Sequence, residues 1–124
     1  MKRSICTFVA LTLSLAWTAS AQDLMQRQSD DRQWALPSKN YSGTRYSTLD
    51  QITAENAKGL QEVWSFSTGA LRGHEGQPLV VDSTMYVHSA FPNHVYALDL
   101  TKEGWPIKWK YTPTQDPRAV AVAC

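Results

Sequence analysis

The densest set of side chains able to do chemistry is Leu71-Arg72-Gly73-His74-Glu75-Gly76-Gln77-Pro78, directly ahead of the apolar run Leu79-Val80-Val81. Two glycines flank a His-Glu pair at the mouth of an expected strand. Backbone can approach a ligand closely there, and a carboxylate can project into a cavity. A charged surface turn would use the same residue types, and spacing alone leaves that reading open. His74, His88 and His94 fit neither HExxH nor zinc-ribbon spacing, which argues against a zinc site within this chain. His88 falls at a strand end, where a backbone group can satisfy it. The sequence has no GxGxxG, Walker A, CxxC or GxSxG, so the commonest nucleotide, redox and hydrolase signatures are missing.

The cysteines give a second clue. Lys2 and Arg3 precede an apolar run from Ile5 to Trp17, and Ala19-Ser20-Ala21 supplies an A-x-A cleavage signal. Residues 1–21 therefore read as a secretory signal peptide, too short for a convincing transmembrane helix, with the mature chain starting at Gln22. Cleavage removes two basic residues and no acid, leaving 10 basic against 11 acidic residues. Cys6 leaves with the signal, and Cys124 remains as the last residue. Exported cysteines usually pair, so a lone one predicts either a partner in another molecule or a longer chain, and the longer chain is the expectation.

The elements that must position these groups change character along the chain. Residues 22–33 read as a polar leader with a helical turn, and residues 34–49 as an ordered loop pinned by Trp34, Tyr41 and Tyr46. Thr53 caps an expected short helix through Ala54-Glu55-Asn56-Ala57-Lys58, stopped at Gly59. After Gly59 the period becomes two. Val63, Trp64, Phe66 and Thr68 predict a strand; Leu79-Val80-Val81 and Met85-Tyr86-Val87-His88 predict a hairpin closed at Asp82-Ser83. Val95–Asp99 and residues 107–111 predict a second pair, with Ile107, Trp109 and Tyr111 inward and Lys108 and Lys110 in water. An Asp at position 99 can close the turn through its carboxylate while Trp109 packs on a neighbouring blade, and an ordinary hairpin with an aromatic on its face fits the same residues equally well. Strands at near-regular spacing without long helices indicate an all-β sandwich, barrel or propeller. Residues 63–111 match one propeller blade of about 40–50 residues, and one blade cannot bury its own faces.

Composition agrees with a packed core. The 124 residues carry a net charge of +1, 43% hydrophobic and 19% charged residues, with five Trp, five Tyr and three Phe. That mixture excludes a disordered tail and a multi-span membrane protein. No basic run interleaves with aromatics, so no nucleic-acid partner is expected.

Several runs together resemble one family. They are Asn40-Tyr41-Ser42-Gly43-Thr44-Arg45-Tyr46-Ser47, Leu49-Asp50-Gln51-Ile52, Trp64-Ser65-Phe66-Ser67-Thr68-Gly69 and the Arg72–Val81 block. Phe91-Pro92-Asn93, Tyr96-Ala97-Leu98-Asp99 and the closing Ala119-Val120-Ala121-Val122-Ala123-Cys124 belong with them. Over about residues 34–124 the chain is similar to the N-terminal part of the large subunit of quinoprotein methanol dehydrogenases, in the pyrroloquinoline quinone (PQQ) alcohol dehydrogenase family. The resemblance implies one to two blades of an eight-bladed β-propeller after the signal peptide, in an exported protein of the periplasm. It implies oxidation of a primary alcohol, chiefly methanol, to aldehyde, with PQQ and a calcium or lanthanide ion as cofactors and a c-type cytochrome as electron acceptor. A small subunit and a homo-oligomer are further partners the resemblance allows.

By position, Glu75 matches the family's carboxylate that hydrogen-bonds the cofactor. Cys124 matches the first of two adjacent cysteines whose disulfide ring stacks on the quinone. The catalytic base and the metal ligands are expected beyond residue 124, so this stretch alone is expected to be inactive. A PQQ dehydrogenase for ethanol or other alcohols, and a non-catalytic propeller scaffold, are the competing readings.

Overall fold

Val95-Tyr96-Ala97-Leu98-Asp99 is the strand around which the rest is arranged. The computed structural model describes residues 23–71 and 73–123. The expected signal segment, Gln22, Arg72 and Cys124 lie outside the described residues. Four antiparallel strands follow one another in sequence order: β1 (Leu79–Val81), β2 (Thr84–His88), β3 (Val95–Asp99) and β4 (Ile107–Tyr111). Tyr96, Ala97, Leu98 and Asp99 are all buried, so β3 supplies most of the core. The β1–β2 hairpin turns at Asp82-Ser83, with Val81 paired to Thr84 and Asp82 at φ +53. Aspartate tolerates that left-handed conformation better than most side chains. Both hairpins expected from the two-residue period are present.

Residues 63–68 differ from expectation. They form no strand ladder among the described residues, although Trp64, Phe66 and Thr68 are half-buried and the residues between them exposed. A strand exists only where another strand accepts its hydrogen bonds. Here rings do the holding. Trp64 meets Trp105 edge-on at 4.8 Å, Phe66 meets Tyr96 at 5.0 Å, and Trp64 stacks on Phe66 at 5.8 Å. The four-stranded unit therefore runs over residues 79–111 rather than 63–111. On the far side of β1, Trp34 exchanges backbone hydrogen bonds of 2.8 and 3.0 Å with Val80.

β4 also departs from simple alternation. A register shift between Ala97 and Leu98 pairs Ala97 with Trp109 but Leu98 with Ile107, leaving Lys108 as an extra residue. Cross-strand partners share a face, so the bulge puts Ile107 and Trp109 on opposite faces instead of the same one. Lys108 Nζ donates to Thr84 Oγ1 at 2.9 Å, and Lys110 Nζ lies 5.2 Å from the Tyr96 ring centre. All five β4 residues are exposed, and the Trp109 ring lies 5.9 Å from that of Tyr86.

Two N-terminal features complete the frame. Residues 23–29 are helical, and the short helix expected after Thr53 is a single 3-10 turn, Ala57–Gly59. Thr53 and Asn56 cap each other: Thr53 N–H donates to Asn56 Oδ1 at 2.8 Å and Asn56 N–H to Thr53 Oγ1 at 3.4 Å. None of the turn's residues is buried, so no packed face extends it into a helix. The ordered loop expected over residues 34–49 is anchored by a lysine rather than by its tyrosines. Lys39 is 2% exposed; its Nζ donates to the Asp30 and Gln33 carbonyls at 2.8 and 3.0 Å and pairs with Asp31 at 3.2 Å. Tyr41 and Tyr46 are each 68% exposed.

Candidate functional site

The segment 73–77 reaches β1 along one side of an open cavity of about 640 Å³. Gly73, Glu75, Gly76 and Gln77 line it together with Pro37 and Ser38 and with His88, Ser89, Ala90 and Asn93, at and after the end of β2. Ala123 lines the same cavity, so the residue preceding Cys124 shares a wall with Glu75. The two positions singled out as cofactor contacts are 49 places apart in sequence, yet the chain folds one of them and the other's neighbour onto a common hollow. Cys124 itself is outside the described residues.

Local bonds hold the walls. Ser38 N–H donates to Gln77 Oε1 at 3.0 Å, tying the end of the segment to the N-terminal loop. Ser89 is fully buried; its Oγ donates to the Ala90 carbonyl at 2.6 Å and accepts the His94 N–H at 3.0 Å. Asn93 sits at φ +60, a conformation asparagine tolerates, so the tight turn 90–93 presents its side chain to the cavity. Gly76 passes so close to His88 that a Cβ at position 76 would lie 2.0 Å from His88 Nε2. The His88 ring also lies 5.5 Å from the His74 ring.

Glu75 and His74 are exposed, so the segment is a turn at the surface of the described residues as well as a cavity wall. His88 meets a backbone carbonyl, as a strand-end histidine can, with Nδ1 3.4 Å from the Ser89 oxygen. Its packing on Gly76 was not legible in the sequence, because the two meet only through the β1–β2 hairpin. Ser89 and Ala90 carried no sequence signal either; Asn93 stood in one of the runs that carried the resemblance. Among the described residues no group of three or more His, Cys, Asp or Glu is arranged to hold a metal ion. Asp99 is elsewhere, at the end of β3. It accepts from Thr101 Oγ1 at 2.6 Å and Thr101 N–H at 3.0 Å, closing the turn as its position suggested. These bonds, with Lys102 alongside, hold its carboxyl at about 2, below the ordinary 3.8.

Comparison with known proteins places this geometry. Residues 34–123 match the PQQ family model described as glucose/ethanol/alcohol dehydrogenase, β-propeller domain. The chain is 58% identical over 111 residues to a lanthanide-dependent methanol dehydrogenase of Methylacidiphilum fumariolicum, covering 90% of this chain and 18% of that protein. It is 45% identical over 131 residues to methanol dehydrogenase [cytochrome c] subunit 1 of Methylobacterium organophilum, covering all of this chain and 21% of that one. Among solved structures, a europium-containing methanol dehydrogenase superposes with a TM-score of 0.79 at 60% identity, over 83% of this chain and 18% of that chain. The chain thus spans about one fifth of the length of these relatives. The all-β expectation stands: with its four-stranded antiparallel sheet, the chain belongs to the PQQ glucose/ethanol/alcohol dehydrogenase β-propeller family.

Proposed function

We propose that this chain is the N-terminal part of a periplasmic PQQ-dependent methanol dehydrogenase, exported by the signal peptide at residues 1–21, and that its cavity forms part of the cofactor site. The observation that carries the reading is the shared cavity of Glu75 and Ala123. That cavity suits a planar, polyanionic quinone. Glycines 73 and 76 let backbone come close, Gln77, Ser38 and Asn93 offer polar atoms, and Leu79, Ala90 and Ala123 offer apolar surface. When bound, the quinone and its metal supply the oxidising equivalents and the Lewis acid that turn methanol into its aldehyde.

The chain's own residues bind and orient. Glu75 would hydrogen-bond the cofactor when it is bound, and Cys124 would contribute to its site through a disulfide with an adjacent cysteine. The metal ligands and the catalytic base come from other parts of the full-length protein. A lanthanide is favoured over calcium, because identity to the lanthanide-dependent relative is 58% against 45% to the cytochrome c-linked one. The name of that second relative supports a c-type cytochrome as acceptor. The ethanol and scaffold readings have no comparable support.

The test is Glu75→Gln in the full-length enzyme. It keeps the shape while changing charge and donor pattern. A hydrogen bond to a charged group is worth roughly 1.5–3 kcal/mol, so PQQ retention should weaken about ten- to hundredfold with the fold intact. Glu55→Gln, on the outer turn, should change nothing. Equal PQQ affinity in the two variants would return His74-Glu75 to a plain surface turn. Intact mass of exported protein starting at Gln22 tests the signal, and retained Met1 would refute it.

A further inference from the structure

We propose that His88 is a positioning residue for Glu75, acting through Gly76 and His74; this rests on the reading of Glu75 as the cofactor carboxylate. Residues 74 and 76 are the chain neighbours of Glu75. Both meet the same ring. A Cβ at Gly76 would lie 2.0, 2.3 and 2.7 Å from His88 Nε2, Cε1 and Cδ2, which means the imidazole plane lies directly on the Gly76 backbone. The His74 ring lies 5.5 Å from that of His88 at a 41° tilt.

The residue on each side of Glu75 therefore meets one planar group at the end of β2. His88 is the last residue of β2, paired with Val95 of β3. Its own orientation is set next door, where Nδ1 lies 3.4 Å from the Ser89 carbonyl and Ser89 is fully buried. Ser38 N–H, donating to Gln77 Oε1 at 3.0 Å, holds the far end of the segment. A carboxylate on an exposed segment needs such support, because misplacing a binding group by about 1 Å forfeits much of its interaction. Glycine at 76 is thus required by the close approach of His88 and not by a left-handed backbone.

The experiment uses the full-length protein, prepared cofactor-free, with PQQ as the titrant in calorimetry and amide hydrogen exchange read across residues 73–77. His88→Ala should weaken PQQ binding about tenfold and speed exchange in that segment, whereas His88→Phe, which keeps a plane on Gly76, should stay within about threefold. Gly76→Ala should also cost about tenfold, yet add nothing in the His88→Ala background, because removing the ring makes room for the methyl. In the Glu75→Gln background His88→Ala should have no further effect on affinity. If His88→Ala does not fold, His88→Leu, which also lacks the plane, takes its place. Unchanged affinity in His88→Ala beside weakened affinity in Glu75→Gln overturns the positioning role alone. Equal losses from His88→Ala with and without Glu75 also overturn it. Unchanged affinity in Glu75→Gln instead overturns the underlying reading of Glu75.

Discussion

The Tyr96 hydroxyl donates to the Thr68 carbonyl oxygen across 2.7 Å, joining the central strand to a segment 28 residues earlier. The same ring meets Phe66 at 5.0 Å, so one buried side chain fixes residues 66–68 by an apolar contact and a polar one. The polar contact can be removed by itself. Tyr96→Phe keeps the ring and leaves the Thr68 carbonyl without this donor, which should cost about 1 kcal/mol. Denaturant unfolding of the full-length protein measures it, and an unchanged midpoint would mean that water replaces the hydroxyl without loss.

Acid should act through two carboxylates. Thr101 and then Lys102 hold Asp99 at about 2, and the Thr48 hydroxyl and amide, with Lys39, hold Asp31 at about 2, both from an ordinary 3.8. A depressed folded value means that the stability these groups contribute is present above about pH 4 and is lost as pH falls towards about 2. Melting temperatures taken between pH 5 and pH 2 should fall less steeply in the Asp31→Asn, Asp99→Asn double variant than in the parent. Parallel curves would remove both groups from the acid response.

The two hairpins were legible because their alternation is uninterrupted and Asp82-Ser83 can only turn. Residues 63–68 show the same alternation, and inward-facing Trp64, Phe66 and Thr68 follow it, but period two cannot say whether a partner strand stands alongside. In β4 the one-residue bulge at Lys108 is invisible in a row of alternating apolar and basic residues, so alternation alone puts Ile107 on the same face as Trp109, where the bulge does not. Glu75 was legible from its glycine-flanked setting. Its brace was not, since His88 reads as an ordinary strand-end histidine until the hairpin folds it onto Gly76.

Lys39 shows the same limit and allows a sharper test. Its Nζ is buried because the partners are backbone carbonyls of Asp30 and Gln33, which no side-chain pattern reveals. Lys39→Met keeps the aliphatic length and removes the donors. The Asp30 carbonyl keeps the Gln33 N–H at 2.9 Å, but the Gln33 carbonyl loses this donor and Asp31 its ion pair, which together should cost about 1–3 kcal/mol, more than the loss of an exposed charge. Arg118→Met, at a side chain 90% exposed in its pair with Asp116, serves as the control and should cost well under 1 kcal/mol. Similar small losses in both would show that water replaces Lys39 at the Gln33 carbonyl and at Asp31.

The bulge at Lys108 makes a prediction about length rather than chemistry. Lys108 is the residue of β4 without a cross-strand partner, since Ala97 pairs with Trp109 and Leu98 with Ile107. Deleting it brings Ile107 and Trp109 into adjacent positions of a regular ladder, where neighbours naturally face opposite ways. Both side chains then keep the faces they already occupy, and the sheet loses only the Lys108–Thr84 hydrogen bond, worth about 1 kcal/mol. Deleting Lys110 is different. It moves Tyr111 into register with Tyr96 and turns its ring to the other face, so it should cost more than the Lys108 deletion by over about 1 kcal/mol. Unfolding midpoints of the two deletions, compared in the full-length protein, decide the matter: a Lys108 deletion as damaging as that of Lys110 would mean the bulge's twist, and not its facing, is what the blade requires.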